Sequence, residues 1–225
     1  MKKRFLFCVL VLLFLLCAVG CKKKESKQGF QPPMKGFTWG MSCKDALALI
    51  GEGKYDKLDL EDGLHVAIIL KENVKLFDAQ AQPYLLFSKE LCKDAEDGGR
   101  LQAVILRYMD ISEEQLFTNM TEEMGDATRD SAPVEEVKNY IWDSKTTLAD
   151  LSKKDYKCIA DFMSNEEQAK KLVEPDRGVA LEVPTEEQPV NAVALKKVTT
   201  DGTVNLSVVY YGDWLYLLKV LQEEQ

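Results

Sequence analysis

An α+β fold, with short helices packed on one face of an antiparallel β-sheet, is predicted by three features of the sequence. Helical segments open with Ser-x-x-Asp, Ser-x-x-Glu or Ser-x-x-Gln capping signals, β-rich runs are separated by polar turns, and the two kinds of segment alternate in blocks. The block order is helix, strands, helix, strands. One globular domain over 37–225 and two helix-plus-strands units dividing near residue 111 both satisfy that order, because no residue-level repeat links the halves.

Ser42 followed by Asp45 predicts a first helix over 43–50, with Ala46, Leu47, Leu49 and Ile50 as its apolar face and Gly51 as its stop. The β-rich runs Leu64 to Leu70, Val74 to Phe77, Pro83 to Leu91 and Leu101 to Met109 follow, the last two divided by a polar, Gly-rich loop. Ser112 and Gln115 announce a second helix carrying Leu116, Met120 and Met124 on one face and stopped by Gly125. Tyr140 to Trp142 and Thr146 to Leu148 are expected to pair as a hairpin around Asp143-Ser144-Lys145. Tyr156, Cys158, Ala160 and Phe162 alternate as in a strand, although Tyr156, Ile159, Ala160 and Met163 fit a helix; the strand is preferred. Ser164 and Glu167 cap a third helix running to about Val173 and ended by Pro175, with an exposed acidic loop over 174–189. Ala192 to Val198, Val204 to Tyr211 and Trp214 to Leu221 are read as closing strands, the first two joined by the turn Thr200-Asp201-Gly202-Thr203.

The first residues, Met1 to Cys21, combine Lys2, Lys3 and Arg4 with an unbroken apolar run and a small-residue site, the pattern of an export signal. Fifteen apolar residues, Phe5 to Val19, fall short of the roughly 17 to 25 that span a bilayer. Ala18-Val19-Gly20-Cys21 resembles the lipobox of bacterial lipoproteins, although Ala18 stands where Leu is commonest. That resemblance implies a signal peptide over 1–20, cleavage after Gly20, acylation of the Cys21 thiol and a lipid-anchored chain. Residues 22–36, polar and punctuated by Gly and Pro, continue from Cys21 as an expected flexible tether. In an envelope of the Gram-negative type, the absence of Asp at position 22 favours the outer membrane by analogy with bacterial sorting.

Removing residues 1–20 takes away three basic residues and no acid, which moves the net charge from −8 to −11. Nucleic acid is disfavoured as a partner. Lys22, Lys23, Lys24 and Lys27 beside the anchor would be drawn to an anionic membrane surface, so the chain has a basic tether and an acidic head. Cys43, Cys92 and Cys158 are the cysteines left in the head, and no intramolecular disulfide is expected among them.

The run Phe37-Thr38-Trp39-Gly40-Met41-Ser42, with Asp45, resembles the opening of many uncharacterised bacterial envelope lipoproteins. The order Gly-x-Ser, capped helix, Gly, then strands is also similar to the small accessory lipoprotein of the outer-membrane β-barrel assembly machine and its β-lactamase-inhibitor-protein-like relatives. The likeness covers residues 37–51. It implies a helix-on-sheet module that binds other proteins and carries out no reaction.

Catalytic sets are scarce. His65 is the sole histidine, within an apolar strand and without a nucleophile signature nearby, so Ser-His-Asp and Cys-His arrangements have one available base. It is read as a strand histidine bonded to a neighbour or exposed on the polar face. Neither phosphate-cradling glycine motif occurs, and multi-histidine metal sites are excluded. The acidic turns at 59–63 and 94–99 lack calcium-loop spacing, since Leu58 and Lys93 fall at the first ligand position. Metal, cofactor and catalytic residues are all read as none.

Aromatic residues offer more. Tyr210, Tyr211, Trp214 and Tyr216 form a dense cluster and are the candidate binding surface. Neighbours in a strand face opposite ways, so one of Tyr210 and Tyr211 should face solvent or a partner. Trp39 and Trp142 are assigned to the core. The expected function is a non-enzymatic envelope lipoprotein that binds a protein or small ligand. The alternatives are a small-molecule or lipid carrier with a sheet-lined cavity, and an envelope hydrolase using carboxylates.

Overall fold

A computed structural model of the protein describes residues 29–92, 98–169 and 183–223. Nine strands form one antiparallel sheet, one face of which shares a core with the helices, the α+β class read from the sequence. In chain order the elements are α1 (Cys43–Ile50), β1 (Tyr55–Asp59), β2 (His65–Leu70), β3 (Val74–Leu76), β4 (Ala79–Ser88) and β5 (Arg100–Tyr108). Then come α2 (Glu113–Met124), β6 (Arg129–Val134), β7 (Val137–Asp143), α3 (Lys153–Ser164), the single turn α4 (Glu166–Ala169), β8 (Ala192–Thr200), β9 (Thr203–Tyr211) and α5 (Asp213–Glu223).

The strand order is β1-β2-β4-β5-β9-β8-β7-β6, with β3 paired to the start of β4. Each half is therefore a helix followed by a meander that moves inward, and the two meanders meet where β5 pairs with β9. The outermost strands are poor templates for further pairing. β6 is exposed throughout and carries Pro133, while β1 exposes Asp56, Lys57 and Asp59.

Local chemistry fixes the helix ends. The Ser42 hydroxyl accepts from the Asp45 amide at 3.0 Å, and Gly51, at φ 90°, donates its N–H to Leu47 and closes α1. Ser112 caps α2 through the Gln115 amide at 3.2 Å, and Ser152 caps α3 through the Asp155 amide at 3.1 Å. That last cap corrects the expected strand at Tyr156 to Phe162: the segment is helical and buries Ile159 and Phe162. Trp214 to Leu221 is likewise helix, not strand, and buries Tyr216, Leu217, Leu218 and Val220. The expected hairpin around Asp143-Ser144-Lys145 does not form. After β7 the chain makes an isolated bridge from Thr147 to Pro189 and a 3₁₀ turn at Leu148–Asp150. Much of the acidic loop and the end of the third expected helix lie outside the described residues.

One parity of each strand faces the helices. Val66 and Ile68 of β2, Leu85 and Phe87 of β4, Val104 and Leu106 of β5, Leu195 of β8 and Val208 of β9 share a core with Ala46, Leu116, Met120 and Ile159. All of these are fully buried. Burial of each such Leu, Ile or Phe contributes about 1.5–3 kcal/mol. Trp39 and Trp142 belong to the same core, as does Cys43, the first residue of α1.

The chain from Gly29 onward is already bonded into this body, which moves the start of the head upstream of the expected boundary at residue 37. Buried Asn191 accepts from the Phe30 amide at 3.0 Å and donates to the Phe30 carbonyl at 2.7 Å and the Tyr211 carbonyl at 3.1 Å. The Trp39 indole donates to the same Phe30 carbonyl at 2.7 Å. Gly29 N–H reaches the Thr146 hydroxyl at 3.3 Å.

Candidate functional site

The opposite parity of the strands stands outside the shared core, and α5 borders it at one end, beside Ala103 and Tyr211. Because residues directly across an antiparallel pair point the same way, the register defines successive rows on this face. Leu86, Ala103 and Tyr211 form one row, Tyr84, Ile105, Val209 and Ala194 the next, and Gln82, Arg107, Ser207 and Lys196 a third. The alternation survives a bulge: Leu86 pairs with Ala103 and Phe87 with Leu101, so Gln102 is the extra residue. Its carbonyl accepts the Gly212 N–H at 2.8 Å, and a Cβ on Gly212 would stand 2.7 Å from that oxygen.

Two aromatic–cation pairs stand on this face. The Arg107 guanidinium lies 5.6 Å from the centre of the Tyr84 ring and donates to its hydroxyl at 3.0 Å. Lys196 Nζ lies 5.6 Å from the centre of the Tyr211 ring. Ala103, Ala194 and Val209 form a buried floor, while Tyr84, Leu86, Ile105 and Tyr211 are half-buried. A groove of about 860 Å³ runs from Lys196 and Ser207 over Ile105 and Val209 to Trp214, at the start of α5.

Of the four aromatic residues picked from sequence, Tyr211 lies on the bare face and half-buried Trp214 lines the groove. Tyr210 and Tyr216 are 7% and 3% exposed and belong to the core, where burial drives their phenol pKa values up. Tyr216 also touches the groove's inner end. Tyr84, Ile105, Arg107 and Lys196 were not singled out in the sequence. Arg107, the lone charge in the largely apolar run Leu101 to Tyr108, is the one signal that pointed outward.

His65 bonds to Asp62 at 2.7 Å, and this bond, ahead of the Leu64 and His65 amides, holds the Asp62 carboxyl below its ordinary range. Farther along, Arg129 grips Asp143 with two bonds of 2.9 and 3.0 Å, and Asp143 is held low by that contact and by the Thr128 hydroxyl. Desolvation pushes the Asp213 carboxyl up to about 6, against the lowering pull of Arg129. Asp213 nevertheless keeps contact with solvent, which moderates that upward push. Among the described residues no group of three or more His, Cys, Asp or Glu could hold a metal, and no helix is long and apolar enough to cross a membrane.

No family model, curated protein or solved structure matches this chain.

Proposed function

We propose that this chain is a membrane-anchored lipoprotein of the bacterial envelope whose bare sheet face binds a partner protein and carries out no reaction. The observation that supports it best is the division of the sheet: one face shares its core with the helices, and the other presents aromatic and aliphatic rows beside a groove that α5 borders at one end. Tyr and Arg are over-represented where binding energy concentrates. Carboxylate hydrolysis would need two convergent acids, and of the groove's Asp62, Glu90 and Asp213 the first is already bonded to His65.

The lipobox at Cys21 supplies the anchor in this reading. Gly29 is bonded to the head only eight residues later, so the connection spans at most about 28 Å at full extension. It joins the head beside Asn191, which also bonds the Tyr211 carbonyl, so the anchor enters at the groove end of the sheet. A partner bound there would lie close to the membrane. Cys21→Ala is expected to lose the acyl mass and release the head to the soluble fraction, read by mass spectrometry and cell fractionation. A variant still in the membrane fraction at unchanged mass would contradict the anchor.

A further inference from the structure

The protein is acidic overall, yet the centre of its bare face is cationic. Across β4, β5, β9 and β8 the outward positions include Arg107 and Lys196 and no Asp or Glu. Arg107 pairs across the sheet with Ser207, and Ser207 with Lys196, which places the two cations on either side of a hydroxyl with one strand between them. Two strand spacings separate their backbones by about 10 Å. Among the described residues neither cation has a carboxylate partner: Arg107 leans to Tyr84 and Lys196 to Tyr211, both toward the row of Ile105 and Val209.

We propose that Arg107, Ser207 and Lys196 form a recognition row for the carboxylates of an acidic peptide segment on the partner protein, with aromatic or aliphatic side chains of that segment lying over Ile105 and Val209. This rests on the reading of the bare face as the docking surface. Charge complementarity selects the acidic group, since a guanidinium and an ammonium flanking a hydroxyl donor match carboxylate oxygens and repel basic segments. The openness of the groove selects a peptide. An acyl chain laid on this floor would keep one side in water, whereas an extended peptide turns polar backbone to the rim. The far end of the groove carries Asp62, Glu90 and Asp213, so the ligand is oriented, with its acids at the Arg107 row and basic groups toward α5.

The test uses the detergent-solubilised full-length protein and a fluorescein-labelled peptide of alternating Asp and Phe, read by fluorescence anisotropy. Arg107→Gln with Lys196→Gln is compared with Lys44→Gln with Lys154→Gln, which removes the same charge from exposed positions on α1 and α3. Unchanged circular dichroism and thermal unfolding establish that both variants are folded. The row variant should weaken peptide binding about tenfold or more relative to the control variant, and the same peptide with Asn in place of Asp should not bind. Equal weakening by both variants would overturn the proposal. So would acetate or phosphate displacing the peptide at matched carboxylate concentration, which would mean simple anion binding, or tighter row-dependent binding to phosphatidylglycerol vesicles, which would mean a lipid headgroup. If Ile105→Glu abolishes peptide binding and the row variant does not, the face stands and the carboxylate assignment falls. Failure of the face itself shows instead as a lack of partner crosslinks from position 105 in cells.

Discussion

Gly99→Ala is expected to destabilise the head by about 4 kcal/mol, the sum of a left-handed backbone forced on alanine and a steric overlap that only backbone movement relieves. Gly99 has φ 85°, and a Cβ there would stand 2.1 Å from the Ser88 carbonyl oxygen and 2.5 Å from its carbon. Neither neighbour is a flexible side chain. Ser88 is the last residue of β4 and pairs with Arg100, so moving it disturbs the register that leads into the Gln102 bulge and the face beyond. The Gly99 carbonyl also accepts the Cys43 N–H at 3.0 Å, tying α1 to the same point. Gly63→Ala supplies the comparison: its φ is 69°, but nothing lies within 4 Å of the added carbon, so only the backbone cost of about 1 kcal/mol remains. Urea unfolding of both variants measures the difference. Equal losses would show that the contact with Ser88 relaxes freely.

Asn191→Ala is expected to cost about 3 kcal/mol, because the side chain is 1% exposed and serves three backbone groups at once. Alanine leaves the Phe30 amide and the Tyr211 carbonyl without that partner, while the Phe30 carbonyl keeps the Trp39 indole. For a domain of this size each kcal/mol lowers Tm by about 2–4 °C, so a fall of about 6–12 °C is expected. The loss should also be local: amide exchange at Phe30 should accelerate more than at core positions such as Leu85. A variant with unchanged Tm and a protected Phe30 amide would show that the first ordered residues are held by packing alone. The consequence for function is positional, since this clamp sets where the chain leaves the head and hence how near the groove sits to the anchor.

Capping chemistry made much of the fold legible in the sequence. Ser42 with Asp45 and Ser112 with Gln115 located α1 and α2 because a hydroxyl two or three residues before an orphan amide has few other uses. The same logic was available at Ser152 and Asp155, where alternation of Tyr156, Cys158, Ala160 and Phe162 drew the reading toward a strand. A short apolar run fits both periods, and packing of Ile159 and Phe162 against the core decided it. Trp214 to Leu221 was misread for a related reason: aromatic and branched residues favour strands in isolation, but after Gly212 the chain turns into a helix that buries Tyr216, Leu217, Leu218 and Val220, and those tertiary contacts override propensity.

The face was harder to read than the elements. Period-two alternation separated Tyr210 from Tyr211 without saying which faced out, and that choice follows from the pairing of β9 with β5 and β8. The row of Arg107, Ser207 and Lys196 draws on three strands, two of them more than 80 residues along the chain from the first. No local pattern encodes such a row. Two details did carry information, however: Arg107 interrupts an apolar strand, and Lys196 follows four buried residues of β8.

Photo-crosslinking in intact cells tests the central claim most directly. A photoreactive phenylalanine analogue replaces Ile105 at the middle of the bare face, and in a second variant it replaces Glu114, exposed on α2 on the helical side of the sheet. The account predicts a discrete partner adduct from position 105 and none from position 114. Adducts from 114 with none from 105, or equal adducts from both, would contradict a docking surface on the bare sheet face.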